Sequence, residues 1–329
     1  NDSDSDHAKI GSNGSEDTSG SEDMSGSIHI TGNAQVTTGD DRHDHGVGNG
    51  AAIGSGRRGN MSGGITIDEN ATVIASSSED GAGIGSGLRG DMSGTITIGG
   101  NATVTGTSGY DGAGIGSGEN GTMSGTITID GNAKVTAWSE VQGAGIGAGE
   151  DSGVSGTIRI GGDAKVTAGS ASDGAGIGGG GDEDGHILKG GKIIICGNAE
   201  VIAIGEDEGC GIGGGEDAEM RGMILICDNT NVTAIGGDCA AAIGTDAARD
   251  LSGSILILGN ASVTTGVEDD IYFDYDTKKI IYTLDESAVG IIGDGQSNHH
   301  YSTDGFYILS PDVSINGLKG SDTENLTKY

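Results

Sequence analysis

The chain has 329 residues, 69 of them Gly and one Pro, with 49 acidic against 16 basic side chains for a formal net charge of −33. Glycine at roughly three times ordinary usage, with no three-residue period and a single Pro, excludes collagen, and a hydrophobic content of 33% at this charge leaves a chain disordered unless something beyond composition orders it. So uniform a negative sign excludes nucleic acid and anionic membrane as partners, since both require clustered Lys and Arg, and no run of 18 apolar residues exists to cross a membrane.

Residues 1–23 read as a partial coil or cap around a weak repeat copy at Ile10. The start, Asn1-Asp2-Ser3-Asp4, has neither the basic nor the apolar block of a signal peptide, so the chain reads as a fragment of a larger protein. Residues 24–265 hold the repeats. The element Gly81-Ala82-Gly83-Ile84-Gly85-Ser86-Gly87 recurs with its Ile at Ile53, Ile84, Ile115, Ile146 and Ile177, each 31 residues after the last, then at Ile212 and Ile243 after a four-residue insertion. Two further segments follow in each unit, seen as Met92-Ser93-Gly94-Thr95-Ile96-Thr97-Ile98 and Asn101-Ala102-Thr103-Val104-Thr105. Both alternate with period two and are rich in β-branched residues, so both are strands.

Three short strands cannot bury an apolar face alone, but units stacked in register give each backbone donor a partner above and below. The expected fold is therefore all-β, a parallel β-helix solenoid with three short strands per coil and about nine coils of 31 residues, about 40 Å long. Inside would lie the ladders Ile28, Ile65, Ile96, Ile127, Ile158, Ile193, Ile224, Ile255 and Val36, Val73, Val104, Val135, Val166, Val201, Val232, Val263. At one corner stand Asn33, Asn70, Asn101, Asn132, Asp163, Asn198, Asn229 and Asn260, read as buried turn amides that hydrogen-bond along the axis. Asp163 sets an acid among amides. Cys196 and Cys227 are equivalent positions just before this corner, about 4.8 Å apart at Cα when stacked, which suits a disulfide or a pair of free thiols. Cys210 and Cys239 match less well. Residues 266–329 give way to a hairpin, Ile271-Tyr272-Phe273-Asp274-Tyr275 with Lys279-Ile280-Ile281-Tyr282, then a last coil; this aromatic-rich segment is expected to cap the open apolar end.

Several features bear on chemistry. The glycine element lacks a following helix or a GK[ST] and recurs along the chain, so it is no phosphate loop; its glycines either serve tight bends at positive φ, the plainer reading, or leave one outer face nearly bare, open to close approach by another backbone, a polymer or a second copy. Outward threonines such as Thr66, Thr95 and Thr97 form columns that suit β-propensity alone. Acidic turns place Asp80, Asp111, Asp173 and Glu208 where Ca²⁺ would relieve repulsion between coils, though a solvated acidic surface is the plainer reading. Arg58 and Arg89 share one turn column, and Lys134 and Lys165 share a strand column. Trp138 and Tyr110, read as lying in equivalent loops, would make a shallow sugar-stacking platform. His43-Asp44-His45 offers a weak two-ligand metal site.

The asparagine column resembles the ladders of right-handed pectate-lyase-like β-helices, and a right-handed coil is carried over from that resemblance and from the rule for parallel crossovers. The units G-A-G-I-G-[SAG]-G, M-S-G-T-I-T-I and G-N-A-x-V-T-A resemble repeats in secreted or surface-attached proteins of Gram-positive anaerobes, adhesins and carbohydrate-binding β-helix proteins among them. That resemblance implies an extracellular or cell-surface location and a polysaccharide or surface-glycan partner, with no cofactor beyond Ca²⁺ and no catalytic motif to transfer. The expected function is a non-catalytic adhesin or carbohydrate-binding module. The alternatives are a polysaccharide lyase or hydrolase on the same scaffold, and a purely structural stalk.

Overall fold

The computed structural model describes residues 6–15, 21–38, 49–181, 186–187, 190–246, 251–284, 292–294, 306–308, 313–316 and 318–319, and among them every regular element is a β-strand. The strands form three sheets of nine, nine and eleven strands, each taking one strand from every successive coil, the third with Lys279–Leu284 and Leu318–Lys319 added antiparallel. The first sheet holds pairs such as Ile84–Gly85, the second four-residue strands such as Thr95–Ile98, and the third longer strands such as Thr103–Ser108. Pairing is parallel and in register, so that Ile84 meets Ile115, Ile96 meets Ile127 and Val104 meets Val135. A row of single bridges from Met24 through Met61, Met92 and Met123 to Leu251 extends the second side. The solenoid read from the repeat is the fold.

The core follows from alternation. Ile65, Ile96, Ile127, Ile158, Ile193, Ile224 and Ile255 are completely buried, and the Val column from Val73 to Val263 is buried beside them, with Ala71, Ala102 and Ala133 filling the narrow corner. Burying one Ile or Val per coil in each column contributes about 1.5–3 kcal/mol per side chain, an upper bound because the unfolded chain is not fully extended.

The glycine element is a closed turn, with the Ala82 amide donating to the Ser86 carbonyl at 3.0 Å and Ala113 to Ser117 at 2.9 Å. Gly85 and Gly116 lie at φ 143° and 148°, and a Cβ on either would stand under 2 Å from the carbonyl oxygen of the next coil. A Cβ on Gly83 would come within 2.6 Å of the Thr107 amide nitrogen and 2.8 Å of the Ala75 carbonyl. The third-sheet backbone is thus packed onto these glycines, and buried serines secure it: Ser108 Oγ donates to the Gly81 carbonyl at 3.0 Å and Ser139 Oγ to Gly112 at 2.9 Å. The bare outer face expected here is corrected. From Gly54 to Gly244 the glycines after the Ile column are buried, because the backbone that approaches them is the chain's own, so among these described coils they do not form a bare outer strip.

The corner ladder forms, but on the outside. Asn70 Nδ2 donates to Asn33 Oδ1 at 3.3 Å, Asn101 to Asn70 at 3.1 Å, Asn132 to Asn101 at 3.0 Å, Asn198 to Asp163 at 2.8 Å, Asn229 to Asn198 at 3.2 Å and Asn260 to Asn229 at 2.9 Å. All eight residues are exposed, so the expectation of buried amides is corrected: the corner turns outward, and the ladder ties coil to coil at the surface. Asp163 accepts from Asn198, but its side chain has no amide N–H with which to continue the relay to Asn132.

The C-terminal hairpin does not close the end. Ser262–Asp274 continues the last long strand and pairs antiparallel with Lys279–Leu284, and Ile271, Phe273 and Ile280 pack on Trp138, Ile204 and Ile235. Register places Trp138, Gly169, Ile204 and Ile235 in one column of the third sheet, on the outward side by alternation with Val135 and Ala137. Such an apolar outward strip needs a cover, and the hairpin supplies it by running back along the flank until the Tyr275 hydroxyl donates to the Glu140 carboxylate. Later segments provide the last coil, with Ile292–Asp294 on Ile243–Thr245 and Phe306–Ile308 on Ile255–Ile257.

Gly116→Ala is expected to destabilise the protein by well over about 1 kcal/mol, since both φ and the Gly147 carbonyl forbid a Cβ. Gly26→Ala, at a glycine of the second segment where a Cβ would meet open space, should leave the thermal midpoint unchanged; equal midpoints for the two variants would refute the packing described.

Candidate functional site

The turn before each glycine element meets the turn after the next one. The Glu119 amide donates to the Asp80 carbonyl at 2.9 Å, Glu150 to Asp111 at 2.8 Å and Glu216 to Asp173 at 2.8 Å. This brings acidic side chains of adjacent coils together. In the first coils the same meeting joins opposite charges, Arg57 Nη1 lying 3.5 Å from Asp6 Oδ1, with Asn49 Nδ2 donating to that oxygen at 3.3 Å. Further on, Asp80, Asp111 and Glu119 each offer a carboxylate oxygen within 4.8 Å of the others, and Asp111 is only 5% exposed.

Burial pushes the Asp80 carboxyl up to about 7, reinforced by the charge of Glu119 and a hydrogen bond with it. Asp111 is pushed by burial to about 6 against the lowering effect of hydrogen bonds from Glu150 and the Gln142 amide. Glu150 rises to about 8, again through burial first and then the charge of Asp111. The cluster therefore holds protons at neutral pH that isolated carboxylates would have lost, with Glu150 donating to Asp111.

A second acidic group lies farther along. Burial, then Asp246 and Asp173, raises Glu208; burial, then Asp173 and Asp238, raises Asp207. Asp246 is 1% exposed and accepts from the Asp217 amide at 2.9 Å, while Asp173 accepts from Ser172 Oγ at 2.9 Å and Gln142 Nε2 at 3.4 Å. The four carboxylates named from sequence thus divide into Asp80 with Asp111 and Asp173 with Glu208. Glu119, Glu150 and Asp246 went unrecognised as their partners. Their signal is a spacing of 39 residues, Asp80 to Glu119 and Asp111 to Glu150, which joins two different turns across coils rather than two copies of one turn.

The sugar platform is corrected. Tyr110 is 52% exposed in its turn, but Trp138 is fully buried under the hairpin, its ring 6.2 Å from that of Phe273. Trp138 belongs to the strand Lys134–Ser139, not to a loop, so the two rings do not share a surface. Arg58 and Arg89 occupy left-handed turn positions at φ 59° and 58°, their amides donating to Leu88 and Glu119 carbonyls, both at 2.7 Å. Lys134 and Lys165 are exposed neighbours in register, and Lys165 Nζ lies 2.6 Å from Glu200 Oε2. Cys196 and Cys227 are free thiols on adjacent coils. His43-Asp44-His45 lies outside the described residues.

No family model, no curated protein and no solved structure matches the chain.

Trp138 is the only Trp, so intrinsic fluorescence reports hairpin docking directly. Phe273→Ala should cost about 3–5 kcal/mol of local packing and red-shift the emission while the coil signal in circular dichroism stays; an emission already at the exposed wavelength in the unmodified protein would overturn the placement.

The carboxyls of Asp80, Asp111 and Glu150 lie above their unfolded values, so the folded state binds more protons between about pH 4 and 8 and stability falls as pH rises through that window. In chelator, thermal midpoints should be higher at pH 5 than at pH 8, and Glu150→Gln should flatten the difference. A slope unaltered by Glu150→Gln would disprove the coupling.

Proposed function

We propose that this protein is a non-catalytic, extracellular or cell-surface β-helix that binds polysaccharide or surface glycan along its length, as an adhesin or carbohydrate-binding module. The observation that supports this reading is the exposed corner where the asparagine ladder runs beside the outward column of Lys134 and Lys165. Stacked coils repeat amide and hydroxyl groups at about 4.8 Å, with ammonium groups added at Lys134 and Lys165, so a polymer lying along the axis meets similar donors again and again, and many weak contacts add through effective concentration. The lysines favour an anionic polymer, and Ca²⁺ in the carboxylate turns would bridge such a polymer to an otherwise repelling surface.

A lyase or hydrolase is the second reading, supported by the protonated carboxyls near neutrality. Against it, Glu150 hydrogen-bonds Asp111 directly, whereas an acid and its carboxylate partner in glycoside hydrolysis stand about 5 Å or more apart with the sugar between them.

The test is a glycan array of acidic and neutral polysaccharides, with Ca²⁺ and with chelator, followed by product analysis. Acidic polymers should be retained and recovered uncleaved, and the double variant Lys134→Glu, Lys165→Glu should bind on the order of tenfold more weakly, about 1.4 kcal/mol. New unsaturated or reducing ends would establish the enzyme instead, and retention of no polymer would leave the rod a stalk.

A further inference from the structure

At the step from Ile195 to Asn198, and one coil later from Ile226 to Asn229, the outer turn departs from its repeats. The residue after the inward Ile is Thr31, Asp68, Gly99, Asp130, Gly161 and Leu258 in the other coils, but Cys196 and Cys227 here. The next residue is Gly32, Gly100, Gly131, Gly162, Gly197 and Gly259 in six coils, all at positive φ between 58° and 78°. Asp228 takes that place at φ 64°, as Glu69 does at φ 61° in an earlier coil, a conformation that glycine adopts freely and a side chain adopts at a cost. Cys196, Cys227 and Asp228 therefore depart from the repeat together.

Their geometry converges. The Ile160 and Ile195 carbonyls accept from the Cys196 and Cys227 amides at 3.0 and 2.9 Å, which stacks the two cysteines directly. The Gly197 amide donates to Asp228 Oδ2 at 2.9 Å, turning the carboxylate back toward the Cys196 coil. Both Sγ atoms and an Asp228 oxygen lie within 4.8 Å of one another. Cys196 is buried, Cys227 half-buried and Asp228 exposed, so the trio is walled on the protein side and open to solvent on the other.

We propose that Cys196, Cys227 and Asp228 form a binding site for a thiophilic divalent cation of the Zn²⁺ or Cd²⁺ kind, with water completing a tetrahedron. Two sulfurs and one carboxylate are a donor set that such ions accept and that Ca²⁺ or Mg²⁺ does not favour. Burial, with Asp228 and Cys196 adding to it, pushes the Cys227 thiol up to about 11, while Arg159 opposes. Metal ligation takes thiolates, so binding displaces thiol protons to solvent as the cation enters. Arg159 then offsets the negative charge that remains on two thiolates, one carboxylate and a divalent ion. A disulfide would join the same sulfurs, but it needs a two-electron oxidant and makes no use of Asp228.

The experiment titrates the fully reduced protein with Cd²⁺ and follows the thiolate-to-cadmium charge-transfer absorption, with proton release read by an indicator. Saturation at one equivalent, with proton release that tracks the band, is expected. The band should vanish in Cys227→Ser and persist in Cys239→Ser. Asp228→Gly restores the residue six other coils carry, so it folds at least as well, and it should weaken Cd²⁺ binding by no less than the roughly tenfold to hundredfold that loss of an outer-shell partner costs. Absence of the band in reduced protein, its survival in Cys227→Ser, or an unchanged affinity in Asp228→Gly each overturns the proposal.

Discussion

Every coil of this protein is hydrogen-bonded to the next through equivalent residues, so each side chain stands about 4.8 Å from a copy of itself or of its replacement. That constraint decides what each column tolerates. Isoleucine on isoleucine excludes water, as in the fully buried column from Ile65 to Ile255. Asparagine on asparagine satisfies a donor and an acceptor at once, as in the ladder. Glycine on glycine lets a carbonyl approach where any Cβ would collide, as between Gly85 and Gly116. Carboxylate near carboxylate gains nothing, and it is there that protons are retained.

The balance between these columns explains how a chain with a net charge of −33 orders at all. Charge is expelled to turns and outward strand positions, where water screens it, while the interior is almost purely aliphatic. Where two turns of adjacent coils meet, carboxylates are drawn together out of water, and there Asp80, Asp111 and Glu150 become weak acids. Near the first coils the same architectural position holds Arg57 against Asp6, so the position itself is neutral to sign; the residues placed in it decide whether it needs a counter-ion.

Departures from the repeat carry more information than the repeat. Asp163 interrupts the amide relay, and Trp138 turns an outward strand position apolar, which then requires the flank hairpin to cover it. Asp228 occupies a glycine position beside the two stacked cysteines.

The periodic spacing of Ile53, Ile84 and Ile115 was enough to establish coils, their register, the inward ladders and the stacked cysteines, because identical units that cannot fold alone have one efficient way to bury their apolar faces. The existence of the asparagine ladder was legible for the same reason; its exposure was not, since a corner can turn either way without changing the period. Relations between non-equivalent positions were decided by the tertiary structure, since even the repeated 39-residue spacing from Asp80 to Glu119 does not say that those two turns meet. The third-sheet backbone lies on the glycines, the hairpin lies on Trp138 rather than on the open end, and Glu119 faces Asp80 across a coil boundary. A one-dimensional repeat states which residues stack; how the three sides of the coil close on one another depends on turn dihedrals and on packing between residues far apart in the chain, and those forces leave no periodic mark.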